Sequence, residues 1–483
     1  MAHHVSTPAL ALLLAALSLG GCHTVGAKPD TDPHVQLPAN WSVASNDPRM
    51  PGDITATWWN AFDDPLLDDL VGRALAANTD LMLSHASLDE ARALRDEASA
   101  ALWPTLGIAA SVQRGRSGGQ SSGNRLAATA SGNWNIDLFG ANRQGLAAAQ
   151  EAVRSGEMGV GYAQITVAAE TVLTYITLRA AQSRLQIATA NLASQQESLQ
   201  ITQWRQQAGL ATVLDTEQAR AATEQTHALL PALRFGNTQA RHALAVLVGE
   251  APATLDGELD TAQPIPQARL DPDAGIPAAT LRQRPDVRAA EHDVSAALAR
   301  VRQARAARAP SFSLAGTLGL AAASVGSLTD TAAVVSSILA NADLALLDGG
   351  AGRARVHAQR AALEQSRLRY RATTLGALQQ VEDALAALSD DRERRESLRT
   401  AADSAATAAQ LATDRYGSGL VDFQVVLQTQ RTQLATQDGL VSADADVSAD
   451  QVRLFTALGG GWQEGLGITP PLAAAPVPMQ GQP

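Results

Sequence analysis

Four short segments of the chain alternate apolar with small or polar residues, which is the pattern of β-strands. They lie at about 105–115, 126–138, 311–320 and 336–347. In the first segment the apolar positions are Leu106, Ile108, Ala110 and Val112. Each segment has the length that a tilted membrane-spanning strand needs, although a half-buried soluble hairpin gives the same alternation. Four strands cannot close a barrel around a channel, so membrane-spanning strands would require several chains to share one barrel.

Long helical patterns separate these strand pairs. Residues 141–207 contain no proline and predict one helix of roughly 100 Å at 1.5 Å per residue. Apolar residues recur there every seven positions, in two series offset by eleven: Leu146, Val153, Val160 and Val167, then Leu178, Leu185, Leu192 and Leu199. Such heptads are typical of helices that pack along their length. Further helices are predicted at 213–248, 351–416 and 422–458, with Pro231 expected to bend the first of them.

The same order of segments occurs twice, which predicts an internal repeat. Each copy reads helix, strand, strand, long helix, turn and helix, and the copies span residues 78–248 and 284–458. Asp80 of the first copy corresponds to Asp286 of the second, and Pro104 corresponds to Pro310. The remaining segments are an N-terminal segment at 22–77, a linker at 249–283 and a tail at 459–483. The tail is rich in proline, and we expect it to be partly disordered.

The first residues predict a cleaved export signal. Residues 9–19 are apolar but too short to span a bilayer as a helix. They lead to the sequence LGGC, which ends at Cys22 and resembles the lipobox of bacterial lipoproteins. Cys22 is the single cysteine of the chain, so it can form no internal disulfide. We therefore expect residues 1–21 to be a signal peptide and Cys22 to carry a covalent lipid.

Composition and charge exclude several classes of function. The formal net charge of -11 leaves no basic surface for nucleic acid. The nine histidines are scattered without the spacing of a metal site, and no acid, base and nucleophile are grouped along the chain. We therefore expect neither enzymatic activity nor a metal, and no cofactor beyond the lipid on Cys22.

Several segments together resemble the outer membrane factor family, the TolC-like channels, and within it the NodT-like branch of efflux lipoproteins. They are WWNAFDDPLLDDLV at 58–71, NTDL at 78–81, DLFG at 137–140, RPDVRAAE at 284–291, the GL turns at 209 and 419, and ALGGGW at 457–462. Each is weak alone, but their order and spacing are specific, and the resemblance covers nearly the whole chain.

The resemblance implies a mixed α and β membrane protein that assembles as a homotrimer, with a shared twelve-stranded β-barrel and a twelve-helix periplasmic tunnel. It further implies the outer-membrane channel of a tripartite efflux pump, a passive duct for drugs or other small toxic molecules. The expected partners are a periplasmic adaptor, an inner-membrane transporter of the RND or MFS type, and outer-membrane lipids. A surface-attached coiled-coil structural lipoprotein and a type I protein-secretion duct are the alternatives.

The resemblance also implies two functional regions. The turns between helices are expected to be the tips that dock the adaptor, and they consist of Gly209, Leu210, Ala211, Thr212, Gly419, Leu420, Val421 and Asp422. Helix capping alone would also explain a glycine at the start of each turn. The pore gate is expected at Asp215 and at a helical stripe of Gln424, Gln428 and Arg431. Relatives commonly have an acidic residue at the position of Gln428, so we expect a hydrogen-bonded or steric closure here.

Overall fold

The computed structural model describes residues 57–115, 123–268 and 278–462. The predicted signal peptide, Cys22 and the tail beyond residue 462 lie outside these ranges. The first part of the chain consists of a 3-10 helix Trp58–Phe62, α1 Pro65–Ala77, α2 Thr79–Ala100, β1 Thr105–Gly115, β2 Gly123–Ile136, α3 Ala141–Gln207 and α4 Val213–Leu247. The second part consists of the short helix α5 Asp256–Leu259, a 3-10 helix Ala278–Gln283, α6 Pro285–Ala306, β3 Ser311–Ala322, two 3-10 turns Gly326–Thr329 and Thr331–Ala333, β4 Val334–Asp343, α7 Ala351–Gly417 and α8 Phe423–Ala457. The predicted combination of long helices with a small set of strands is confirmed.

The strands form one antiparallel sheet in the order β1-β2-β3-β4. Ile108 of β1 lies opposite Ala130 of β2, which in turn lies opposite Leu318 of β3. Directly opposite residues share a face of the sheet. The register therefore collects most of the large apolar side chains of the strands on one side: Leu106, Ile108, Val112, Leu126, Trp134, Leu314, Leu318, Leu320 and Ile338.

Two strands end earlier than the alternation predicts. β2 ends at Ile136 instead of residue 138, because the amide of Leu138 turns back to the carbonyl of Ile136 at 3.0 Å. β4 ends at Asp343 instead of residue 347, because its last partner is Ser311, and Pro310 before it has no amide hydrogen to extend the ladder. Both strands also begin earlier, at Gly123 and Val334. The ends expected for helices at 248, 416, 422 and 458 each differ by one residue.

The two longest helices, α3 and α7, have 67 residues each. Each is preceded by a glycine in the left-handed region, Gly140 with φ 82° and Gly350 with φ 91°. This conformation lets the chain leave the sheet and start a helix within a few residues. α4 continues as one helix through Pro231.

Helix packing follows the order of the strands. Near the sheet, α2 packs on α3, α3 on α6, and α6 on α7. Farther from the sheet, α3 packs on α4 and α8, and α7 packs on α8. The main hydrophobic core lies where α1 meets α3, around Leu67, Leu70 and the buried ring of Tyr175. The Tyr175 hydroxyl donates to the Asp64 carboxylate at 2.6 Å, which joins the start of α1 to α3. Within the described ranges, the helices all fall short of the length and apolar character that a membrane span requires.

Candidate functional site

The apolar face of the sheet is exposed on the single chain. Leu106 and Ile108 are each 88% exposed, and Ile338 on the other edge strand is 84% exposed. An apolar surface of this extent is typical of a contact with a membrane or another protein. The opposite face is largely polar, although Val335 and Leu339 also lie on it. The Thr317 and Ser337 hydroxyls on this face form a hydrogen bond of 2.6 Å. The sheet thus separates an apolar from a polar environment.

The two outer strands of this sheet, β1 and β4, are open edges. Among the residues that the structure describes, β1 pairs with β2 alone and β4 pairs with β3 alone. Open edges expose backbone donors and acceptors, which are costly in an apolar surrounding. The sheet can therefore enter a membrane only when further strands cover β1 and β4.

The two predicted tips are tight helix-ending turns. Gly209 has φ 70° and Gly419 has φ 76°, both in the left-handed region. Past each glycine the chain bonds back to the helix, with the Leu210 amide donating to the Arg205 carbonyl and the Leu420 amide to the Arg415 carbonyl, both at 2.8 Å. This is the geometry of a glycine-terminated helix. The capping role of both glycines is therefore explicit in the structure.

The tips differ in how the next helix begins. At the first tip the Asp215 amide donates to the Thr212 hydroxyl at 3.2 Å, and the Thr212 amide donates to the Asp215 carboxylate at 2.9 Å. These reciprocal bonds are a capping box at the start of α4. At the second tip Asp422 caps α8 without a side-chain hydrogen bond. Asp215, which we expected in the pore gate, is thus held by the cap of its own helix.

Large apolar side chains stand exposed at the ends of the tips. Leu210 is 69% exposed and Leu420 is 74% exposed, while Val213 and Leu214 beside the first tip are also largely exposed. Val421 is different, because it packs against a small core formed by Tyr416, Phe423 and their neighbours. The accessible apolar surface of the tips therefore consists mainly of the two leucines and the start of α4.

A contact between the two tips was not anticipated from the sequence. The Arg205 guanidinium donates to the carbonyls of Tyr416 at 2.9 Å and Gly417 at 3.3 Å, and it lies 4.7 Å from the centroid of the Tyr416 ring. That ring meets Phe423 edge-on at 5.5 Å. A signal did exist in the sequence, since Arg205 and Arg415 each stand four residues before a tip glycine. The partner of Arg205, however, lies in the other half of the chain.

The predicted gate stripe is exposed on α8. Gln424, Gln428 and Arg431 all face solvent on the single chain, whereas Gln430 points inward and donates to the Ser198 hydroxyl at 2.9 Å. In the described part of the chain Arg431 has no ion pair with a carboxylate. The structure thus groups the three stripe residues but keeps Asp215 in its separate cap. Among the same described residues, no cluster of His, Cys, Asp and Glu has the arrangement of a metal site.

The fold and its exposed sheet define an outer-membrane channel subunit. The solved structure of the outer-membrane channel OprN has the same fold, with a TM-score of 0.81 and 32% sequence identity. The match covers 89% of this chain and 99% of OprN.

The chain belongs to the outer membrane efflux protein family, whose family model matches residues 70–250 and 276–460. It is 31% identical to the outer membrane protein OprJ of Pseudomonas aeruginosa, over 94% of this chain and 96% of OprJ. It is 30% identical to nodulation protein T of Rhizobium leguminosarum bv. viciae, over 94% of this chain and 92% of that relative. The family predicted from the sequence is confirmed.

Proposed function

We propose that the chain is the outer-membrane channel of a tripartite efflux pump. It serves as a passive exit duct for drugs or other small toxic molecules and carries out no catalysis. The observation that supports this most directly is the sheet, with one exposed apolar face and two open edges, at the end of long helices. A coiled-coil structural lipoprotein would have no use for such a sheet. The kinship with efflux proteins supports the same conclusion.

The channel is a homotrimer in this proposal. Three copies of the four-stranded sheet make a closed barrel of twelve strands, which covers every edge inside the membrane. The long helices of the three copies form a tunnel across the periplasm, each about 100 Å long at 1.5 Å per residue. The two halves of the chain, each with the same order of elements, act as repeats in the barrel and tunnel.

The tips connect the channel to its partners. A periplasmic adaptor docks on Gly209, Leu210, Ala211 and Thr212 and on Gly419, Leu420, Val421 and Asp422, where exposed leucines offer an apolar anchor. Docking draws the tips apart and opens a constriction formed by Gln424, Gln428 and Arg431, with Asp215 nearby as a further charge. The energy comes from an inner-membrane transporter of the RND or MFS type. A lipid on Cys22 adds a second membrane attachment beside the barrel.

Two measurements on the full-length protein test this function. Protein extracted from outer membranes with detergent should migrate as a heat-resistant trimer and produce discrete conductance steps in planar bilayers. A strain lacking the gene should accumulate substrates of the pump, and the restored gene should reverse this. A protein that stays monomeric in detergent and gives no conductance would contradict the proposal.

A further inference from the structure

The two outer helices next to the sheet have complementary charge. α2 carries five acidic residues against two arginines. The first 21 residues of α7, from 351 to 371, carry six arginines against one glutamate. α2 leads into the edge strand β1 and forms one edge of the helical layer, whereas α7 follows the edge strand β4 and forms the other edge. Charge of opposite sign thus marks the two free sides of one chain.

Part of this charge is satisfied within the chain and part is not. On α2, Asp89 pairs with Arg92 at 3.1 Å and Asp96 pairs with Arg95 at 2.7 Å. Over the residues that the structure describes, several exposed charges on these helices have no ion-pair partner in the chain, and they include Glu90, Glu97, Arg353 and Arg360. Both glutamates are on α2 and both arginines are on α7.

These charges accompany exposed leucines at heptad spacing. Leu83, Glu90 and Glu97 are seven residues apart and lie away from Leu81 and Leu88, which are buried on the chain side. On α7, Arg353 and Arg360 are also seven apart and each precedes an alanine of a stripe that continues to Leu368 and Leu375. Leu83 is 66% exposed and Leu368 is 57% exposed. Each edge therefore carries the side-chain pattern that one helix of a coiled coil presents to its partner.

The seams inside the chain show how such helices align. Helices that approach the sheet lie beside helices that leave it, and residues at equal distance from the sheet meet. Gly145, four residues into α3, faces Gln303, which lies three residues before the end of α6. Leu363, twelve residues into α7, packs with Val294, twelve residues before the end of α6. Other contacts deviate by three or four residues, since Leu88 of α2 meets Gly156 of α3 and His292 of α6 meets Glu151 of α3. The alignment therefore holds to within about one helical turn.

The same rule aligns α2 of one copy with α7 of another. Leu83 lies 17 residues before the end of α2, and Leu368 lies 17 residues after the start of α7. Glu90 and Arg360 lie ten and nine residues from those ends. Glu97 and Arg353 lie three and two residues from them. Three contacts, one apolar and two of opposite charge, therefore fall into register together.

We infer that α2 and α7 form the seam between two copies of this chain, with Leu83 on Leu368 of the next copy, Glu90 beside its Arg360 and Glu97 beside its Arg353. The occupant of each edge is a second copy, because the acidic edge and the basic edge belong to the same molecule. The open strands agree, since β1 and β4 run in opposite directions and can continue the antiparallel sheet across the same seam. This inference rests on the trimer of the proposed function, and it specifies how the two helices are aligned and which ion pairs join the copies.

Cysteine crosslinking tests the register in the full-length protein. Leu83→Cys combined with Leu368→Cys should give covalent trimers under mild oxidation, whereas each single variant should give none. Leu83→Cys with Leu375→Cys is the matched control, because a shift of seven residues moves the thiol about 10 Å along the helix, beyond disulfide reach. Intact trimers that crosslink equally through both pairs, or through neither, would overturn the seam. Loss of trimers in the wild-type protein would instead contradict the proposed function.

Charge reversal tests the electrostatic bond. Glu90→Arg with Glu97→Arg should shorten the dissociation half-life of the detergent-extracted trimer by roughly tenfold, and so should Arg353→Glu with Arg360→Glu. The fourfold variant that combines both changes should recover most of this loss. Arg355→Glu is the control, because Arg355 is exposed on another side of α7. Equal half-lives for the four-residue variant and either double variant would show that these charges do not face one another.

Discussion

Arg205 at the end of α3 donates a hydrogen bond of 2.9 Å to the backbone carbonyl of Tyr416 at the end of α7. The two residues are 211 positions apart in the chain. This bond joins the last turns of the two longest helices, next to the tips where we propose that the adaptor docks. The contact therefore holds the tips together within one chain.

Replacement of Arg205 should loosen the tips. Arg205→Ala removes a hydrogen bond from a charged donor and a cation–π contact, which together stabilise the joined tips by about 2–3 kcal/mol. We expect higher conductance in planar bilayers without an adaptor. Arg415→Ala is a matched control, because Arg415 occupies the equivalent position of the second half but is exposed. Equal conductance in the two variants would show that Arg205 does not help to keep the channel closed.

Valine at Gly209 or Gly419 should damage pump function while trimers still form. Gly209 has φ 70° and Gly419 has φ 76°. In this left-handed region a β-branched residue costs about 1–2 kcal/mol. The damage should appear as lost drug resistance, with trimer yield unchanged on gels. Gly236→Ala, in the interior of α4 where a methyl group meets no neighbour, is the control and should leave resistance intact. Normal resistance in both tip variants would argue against docking there.

The capping box predicts a shared effect of Thr212 and Asp215. Thr212→Ala should destabilise the start of α4 by about 1 kcal/mol, and Asp215→Ala should do much the same. Because each residue serves the other, the double variant should lose little more than either single one. Hydrogen exchange at the first amides of α4 measures this. Additive losses would show that the two side chains act separately, and a conductance change confined to Asp215→Ala would assign that carboxylate to the gate.

Charge on the two faces of the sheet should have unequal effects. Ile108→Lys places an ammonium group on the apolar face and should reduce barrel assembly, at a cost of about 2–4 kcal/mol if it lies near the middle of the membrane. Ser111→Lys, on the same strand but on the polar face, should assemble normally. Trimer yield in outer membranes compares the two. Equal yields would mean that the exposed apolar face does not contact lipid.

Asp450 predicts a pH-dependent contact between α7 and α8. Burial raises the pKa of Asp450, Arg453 lowers it, and the nearby Asp391 carboxylate on α7 raises it, so that the pKa is about 6. Arg394 on α7 and Asp446 on α8 form an ion pair nearby at 2.9 Å. A carboxyl group with a raised pKa in the folded state binds its proton more tightly there than in the unfolded chain. Its contribution to stability is therefore full below about pH 4 and declines as the pH rises through about 6.

Asparagine at this position should remove that dependence. The apparent melting temperature of Asp450→Asn should vary less between pH 4 and 7 than that of the wild-type protein, and should exceed it at pH 7. Asp390→Asn, at an exposed position of α7, should behave as the wild type. Parallel pH profiles for wild type and Asp450→Asn would exclude Asp450 as the source.

Local patterns in the sequence identified most elements but not all of their ends. The alternation around Ile108 and the heptads around Leu185 depend on which side of an element is apolar, and this repeats along the chain. The end of β4 depends instead on Pro310 of the neighbouring strand, and the end of β2 on a turn at Leu138. Leu344 and Leu346 continue the apolar pattern beyond the sheet without belonging to it.

The tips show the same division. Glycine at 209 and 419 indicates a helix end from the sequence alone, because few other residues adopt the left-handed backbone conformation found there. Asp215 was expected in the pore gate, but a carboxylate three residues after a threonine also fits a capping box, and the structure has that box. Arg205 could not be assigned, because its partner carbonyl belongs to a distant turn.

The four-stranded sheet leaves one property of the assembly unspecified. Because each chain contributes an even number of strands, up-down alternation is preserved at every junction, whether a ring contains two, three or four copies. Backbone pairing between strands therefore does not determine the number of subunits. In the proposed channel the angle at which neighbouring helices pack would fix that number, so residues outside the membrane barrel would determine its diameter.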